Sequence, residues 1–113
     1  MTLAEIASQL SLVVQSGADA LDREITGGYA SDLLSCVMAG AAKGNVWVTL
    51  QAHPNVIAVA VLLELAGVII TEGVEPDAVT LEKAASEGVP VLTTGDDTYT
   101  TVCKLAALGV QGN

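Results

Sequence analysis

The sequence predicts an α/β fold: a small three-layer domain built on a mostly parallel sheet of four to five strands. Three observations predict it. From Val46 onward, strand-like and helix-like stretches alternate without interruption. The connections between them are only a few residues long, and such strand–helix–strand crossovers are right-handed and leave their strands parallel. The run Val68-Ile69-Ile70 is apolar without alternation, the pattern of a strand buried on both faces.

Leu3, Ile6, Ala7 and Leu10 recur at helical spacing, so residues 2–9 read as a short amphipathic helix capped by Thr2. Leu12-Val13-Val14 makes a short strand ended by Ser16-Gly17. After a polar stretch, residues 25–30 read as a strand or irregular edge segment with a glycine bend at Gly27-Gly28. Ser31 and Asp32 are cap candidates for a helix carrying Leu33, Leu34, Val37 and Met38 on one face. That helix is expected to stop near Lys43-Gly44, a basic residue and a glycine at a helix end. A strand over residues 46–51, a helix over 54–66 and a strand over 68–71 follow. Pro76 suits a first helical position, and its helix runs to Glu87-Gly88. A strand over residues 89–93, a turn and cap at Gly95-Asp96-Asp97 and a helix over 98–108, closed by Gly109, complete the chain. The arrangement is Rossmann-like, and residues 1–113 are expected to form a single domain, enough for one core and too few for two.

Apolar residues make up 51% of the chain and charged residues 15%, which excludes a disordered chain. Four Lys and Arg against thirteen Asp and Glu give a formal charge of −9. So acidic a surface repels phosphate backbones and anionic lipid, so nucleic acid and membranes are not expected as partners. Trp47, Tyr29 and Tyr99 are the only aromatic residues and offer no platform for stacked bases. The first ten residues carry neither a basic stretch nor a small-residue cleavage site, so no secretory leader is expected. The helical part of the central apolar run falls short of the ~20 residues that span a bilayer. A cytoplasmic protein is the expectation. Cys36 and Cys103 lack C-x-x-C spacing and are expected to be buried free thiols.

The helix after Pro54 has Glu64 as its only charged residue up to Ala66, and a helix that is apolar all round is buried all round. One face covers the sheet, so the other is expected to meet a second copy of the chain. A homodimer through Val56, Val59 and Leu63 follows.

In an open parallel sheet, ligands bind at the carboxyl ends of the strands. Three such ends are readable: Gln51-Ala52-His53-Pro54-Asn55, Thr71-Glu72-Gly73, and Thr93-Thr94-Gly95-Asp96-Asp97. The first holds the only histidine, a proline able to open a helix, and an amide on its first turn, where free backbone N–H groups donate to an oxygen-bearing ligand. A small-molecule pocket lined by Gln51, His53, Asn55, Thr71 and Thr93 is expected, with Glu72, Gly73 and Asp97 on the same rim. The alternative is that His53 and Asn55 merely cap the helix and hold the turn. No serine or cysteine has the context of a nucleophile, and Asp96-Asp97 reads as a cap, so no catalytic residue is assigned. No metal or cofactor is expected either, since no ligand pair stands at i, i+4 and no cysteine cluster exists. Gly27-Gly28 lacks both G-x-G-x-x-G and G-x-x-x-x-G-K-[ST], so a phosphate loop is not assigned.

Over nearly its whole length the chain resembles the DRTGG domain family. Ala66-Gly67-Val68-Ile69-Ile70-Thr71-Glu72-Gly73, Gly88-Val89-Pro90-Val91-Leu92 and Asp97-Thr98-Tyr99-Thr100-Thr101 carry the resemblance. The letters Asp22-Arg23-Glu24-Ile25-Thr26-Gly27-Gly28 are not the motif behind the family's name; by position that motif falls after Leu50 and at Thr71 to Gly73. There this sequence has Ala52-His53-Pro54-Asn55 in place of an acidic–basic pair, and Glu72 in place of a glycine. The His-Pro-Asn form resembles a stand-alone subgroup linked to bacterial gene clusters with iron-only hydrogenase and histidine-kinase-like proteins. Similar domains accompany CBS pairs in regulated pyrophosphatases and resemble the N-terminal domain of HPr kinase. The resemblance implies a regulatory, non-catalytic module that binds a small, nucleotide-like or phosphorylated ligand and couples it to a partner enzyme or redox complex. A scaffold that works without a ligand is the second reading, and a small enzyme using His53 the third.

Overall fold

In the computed structural model, which describes residues 1–113, the elements run in the order α1 (Leu3–Gln9), β1 (Val13–Ser16), a 3-10 turn (Ala18–Ala20), β2 (Gly27–Ala30), α2 (Leu34–Gly40), β3 (Asn45–Thr49), α3 (Asn55–Leu62), β4 (Gly67–Ile70), α4 (Ala78–Glu87), β5 (Val91–Thr93) and α5 (Thr98–Ala107). They form one five-stranded sheet in the order β1-β5-β4-β3-β2. β2, β3, β4 and β5 pair in parallel; β1 pairs antiparallel with β5. The three-layer, mostly parallel α/β fold is therefore as expected.

Alternation along the central strands divides the core into two layers. Trp47, Val68, Ile70 and Val91 face α2, α3 and α4, where they meet Val37, Val56, Ile57, Val59, Ala60 and Ala84. Val46, Val48, Ile69 and Leu92 face the other way, against Leu3, Ile6 and Ala7 of α1 and Leu105 of α5. β3, β4 and β5 are buried along their whole length, which is why their sequence reads as continuous apolar runs. Thr2 caps α1 as expected, its hydroxyl accepting the Glu5 N–H at 3.2 Å.

Several boundaries differ from the expected ones. α3 ends at Leu62 rather than Ala66, because the chain turns left-handed at Glu64 (φ 55°) and Leu65 N–H reaches back to the Ala60 carbonyl. α2 ends at Gly40, ahead of Lys43-Gly44. A Cβ on Gly40 would sit 2.5 Å from the Tyr29 hydroxyl, so the helix stops where the tyrosine crosses it. Of its expected apolar face, Val37 is buried, but Leu33 and Met38 are exposed. α4 begins at Ala78, two residues after the buried Pro76. Gly27-Gly28 is not a bend but half of a regular parallel strand. Cys36 and Cys103 are both exposed, each on the outer side of its helix, against the expectation of buried thiols. No helix is long and apolar enough to cross a membrane.

The expected dimer residues also fall elsewhere. Val56 and Val59 are buried in the chain's own core, and Leu63 packs against it half-buried. The i, i+3, i+4 spacing that suits a dimer stripe is here the spacing that faces the sheet. The outward side of α3 consists of Asn55, Ala58, Val61 and Leu62, with Leu62 65% exposed.

Candidate functional site

The carboxyl ends of β3, β4 and β5 form a rim that begins with a carboxylate reaching across from the neighbouring strand. Asp32 follows β2 and, β2 being parallel to β3, arrives beside the end of β3. Its Oδ1 accepts both the Thr49 hydroxyl and the Leu50 N–H, each at 2.8 Å. Gln51 completes the corner: its N–H donates to Thr49 Oγ1 at 3.1 Å and its Nε2 to the Asp32 carbonyl at 3.2 Å. Neither expected cap is used: α2 starts after Leu33 without a side-chain cap, and Ser31 Oγ accepts only the Leu33 N–H ahead of it. Sequence reasoning missed Asp32 as part of this corner. The available signal was its place at the carboxyl end of a strand adjacent to β3.

From this corner the chain enters α3. Ala52 is anchored through its carbonyl, which accepts the Thr80 hydroxyl of α4 at 2.7 Å. His53 Nδ1 accepts the Asn55 N–H at 3.0 Å, and the His53 carbonyl accepts the Val56 N–H. The ring proton therefore belongs on Nε2, which makes no hydrogen bond within the chain. Pro54 opens the helix with φ −53°. The side chains of His53 and Asn55 are exposed, and the Asn55 amide has no partner. The capping reading of His53 holds for one ring nitrogen, which leaves the other facing water.

The middle of the rim is a chain of threonines. Thr71, at the end of β4 and fully buried, gives its N–H to the Thr49 carbonyl at 2.9 Å, and its hydroxyl lies 2.7 Å from that of Thr98. Glu72 and Gly73 follow with φ of 64° and 70°, two left-handed residues in succession that turn the chain sharply. Glu72 N–H donates to the Asp96 carbonyl and Gly73 N–H to that of Thr94, binding this turn to the loop after β5. The Glu72 carboxylate accepts the Thr98 N–H at 2.7 Å. Asp97 caps the same helix, its Oδ1 accepting the Thr100 N–H at 2.6 Å. That bond holds the Asp97 carboxyl below its ordinary pKa, because it favours the charged form. Lys104 pairs with Asp96 at 2.7 Å.

The structure thus joins Gln51, Thr71, Glu72, Gly73 and Asp97 through one hydrogen-bonded network, and sets His53 and Asn55 side by side at the start of α3. Thr93 is separate from both: its hydroxyl turns toward the sheet's edge and accepts Gln15 Nε2 of β1 at 3.0 Å. Thr71 is a buried strut under the rim, and the three principal clefts take their linings from other parts of the molecule. One cleft of about 490 Å³ lies at the amino ends of the strands, between Arg23, Lys43, Glu64 and Gly88. Another of about 750 Å³ lies between β2 and α5.

Comparison with known proteins agrees with this architecture. The profile of one family, the DRTGG domain, matches residues 5–108. Among solved structures, the CBS and DRTGG domains of the regulatory region of Clostridium perfringens pyrophosphatase, complexed with the activator diadenosine tetraphosphate, match with a TM-score of 0.76 at 18% identity. That match covers 92% of this chain and 45% of the pyrophosphatase fragment, so the chain spans less than half of that neighbour's length. No curated protein matches the sequence.

Proposed function

The chain belongs to the DRTGG domain family, and on that premise we propose that it is a regulatory module that performs no chemistry of its own and binds a small ligand at the start of α3. The observation that carries this reading is the uneven use of the rim. Asp32, Thr49, Gln51, Thr71, Glu72 and Thr98 satisfy one another, and Asp97 is taken up by Thr100. His53 Nε2 and the Asn55 amide are left over, on a corner whose backbone that network holds in place. Both groups serve as hydrogen-bond donors to oxygen, and they stand at the positive end of a helix, where a phosphate or carboxylate is stabilised. A nucleotide or phosphorylated metabolite fits this chemistry, with its anionic group at His53 and Asn55 and the rest lying over Gln51 and Gly73. A lone histidine with one nitrogen committed to a backbone N–H and no nucleophile beside it supports binding rather than catalysis.

A thermal-shift screen of nucleotides and phosphorylated metabolites tests the proposal. A ligand at 100 times its Kd stabilises by about 2.7 kcal/mol. His53→Ala and Asn55→Ala are each expected to lose that shift. Equal binding by both variants would move the site elsewhere, and no shift with any compound would leave the interaction-module reading.

A partner surface belongs to the same proposal. α2 and α3 contain no charged residue in a chain of formal charge −9. Their outward side exposes Leu33, Met38, Val61 and Leu62. Here a second copy meets the least like-charge repulsion, and the partner enzyme, a redox complex by the family resemblance, is reached through the remaining acidic surface. Leu62→Glu is expected to give a folded monomer by sedimentation and circular dichroism. Val59→Glu places a charge in the core and is expected to unfold the chain instead. Wild-type protein that sediments as a monomer at high micromolar concentration would rule the dimer out.

A further inference from the structure

The paired glycines of β2 have a use that strand geometry alone does not require. β2 is the outermost strand of its side of the sheet, and the segment after α5 returns along it. The Gly28 N–H donates to the Gln111 carbonyl at 2.8 Å. A Cβ on Gly27 would lie 2.8 Å from that same carbonyl, and one on Gly28 3.3 Å from Val110 Cγ1. Neither glycine has a positive φ, so space and not backbone conformation excludes a side chain here. Further along, Asn113 Nδ2 donates to the Gly40 carbonyl at 3.0 Å and to Asn45 Oδ1 at 2.7 Å.

This returning segment is lightly held. Residues 111–113 are exposed, and the bonds just named are those that tie them to the sheet and to α2. Asn45 is fully buried, yet it keeps two partners of its own without the segment. The Ala42 N–H donates to its Oδ1, and its Nδ2 donates to Thr26 Oγ1. Departure of the segment therefore leaves no side-chain polar group of Asn45 unpaired in the core. It would widen the groove of about 750 Å³ of which Val110 to Asn113 are one wall and Tyr29, Val48, Val102 and Leu105 the others, a lining without a charged residue.

We propose that residues 111–113 are a releasable strap, hinged at Val110, which stays packed on the core and bonded to the Leu105 carbonyl. The strap lifts from Gly27-Gly28 as a unit, frees the Gly28 N–H and opens the groove, while the parallel sheet beneath stays intact. The fold thereby couples the position of residues 111–113 to solvent access along the β2 edge.

Amide hydrogen exchange followed by NMR on the full chain, in wild type, Gly27→Ala and Asn113→Ala, tests the strap. Alanine is no worse than glycine within a strand, and a Cβ on Gly27 presses hardest on the Gln111 carbonyl; because it also comes within 3.3 Å of Asn45 Nδ2, Asn113→Ala, which adds no atom, serves as the second variant. In both variants the Gly28 amide is expected to exchange about tenfold faster or more, while the amides of β3 and β4 keep their wild-type rates. An unchanged Gly28 rate in Gly27→Ala would show that no strap covers it. An equal acceleration throughout β3 and β4 would show that the segment opens only with the whole fold. Either result overturns the proposal.

Discussion

α3 and α5 both start on the carboxyl rim of the sheet, and the chain equips the two starts differently. At α5, two carboxylates of the chain itself meet the first backbone N–H groups, Glu72 at Thr98 and Asp97 at Thr100. At α3 the corresponding acceptor is an uncharged imidazole nitrogen, His53 Nδ1, at Asn55. The positive end of α5 is thus neutralised from within, whereas that of α3 is not. Only one of them has electrostatic room for an anion that the chain does not supply. The nearest carboxylate to the start of α3, that of Asp32, is spent on Thr49 and Leu50 and not on the helix N–H groups.

The comparison breaks first if the struts beneath the rim are removed. Thr71→Val keeps the shape of a fully buried residue and deletes the hydroxyl shared with Thr98. It is expected to destabilise by about 1.5 kcal/mol in denaturant unfolding, because the bonds to the half-buried Thr98 hydroxyl and to the Thr49 carbonyl are both lost. Ligand binding at α3 should survive that change. Loss of binding together with stability would mean that the two starts act as one site.

A smaller effect is expected at Glu72, whose left-handed backbone is a strained choice for any residue but glycine. Glu72→Ala retains the strain and loses the bond to Thr98, for about 1 kcal/mol of destabilisation. Glu72→Gly loses the same bond and relieves the strain, so it should lie within about 0.5 kcal/mol of wild type. It also removes one of the two carboxylates at α5. If weak phosphate binding then appears at α5, the charge explanation of the difference between the helix starts is sharpened; if Glu72→Gly and Glu72→Ala are equally unstable, the strain argument fails.

The smallest effect is a pH dependence. The Thr100 N–H lowers the folded-state pKa of Asp97 below its unfolded value of about 3.9, so the unfolded chain takes up its proton first as pH falls. The stabilisation is complete above about pH 4 and is lost as the pH drops through the folded pKa. Asp97→Asn should therefore flatten the acid limb of the stability curve relative to wild type. An unaltered acid limb would show that Asp97 gains nothing from its cap.

Much of the fold was legible in the sequence because burial on both faces leaves a direct mark. Val68-Ile69-Ile70 and Val91-Leu92 have no polar positions to alternate with. The corner of the candidate site was legible in part: the one histidine and the proline after it located the start of α3. The task of Asp32 was not, since its contact with Thr49 spans seventeen residues and exists only because β2 lies parallel beside β3. The early end of α3 was hidden for a related reason. Glu64, Leu65 and Ala66 all have good helix propensity, and the left-handed turn at Glu64 is imposed by the need to enter β4. The outward side of α3 misled for a third reason. A helix with no charge gives no polar stripe by which to orient it, so Val59 and Val61 look alike until the sheet is in place.

β1 closes the other edge of the sheet and bears on how this protein behaves when crowded. It runs antiparallel to β5 and loses register between Val14 and Ser16, an irregularity that bends a strand away from further partners. With β1 losing register on one side and residues 110–113 lying along β2 on the other, the sheet offers no straight border for another sheet as long as that segment stays in place. For a chain that is 51% hydrophobic, this disfavours the edge-to-edge pairing that leads to fibres.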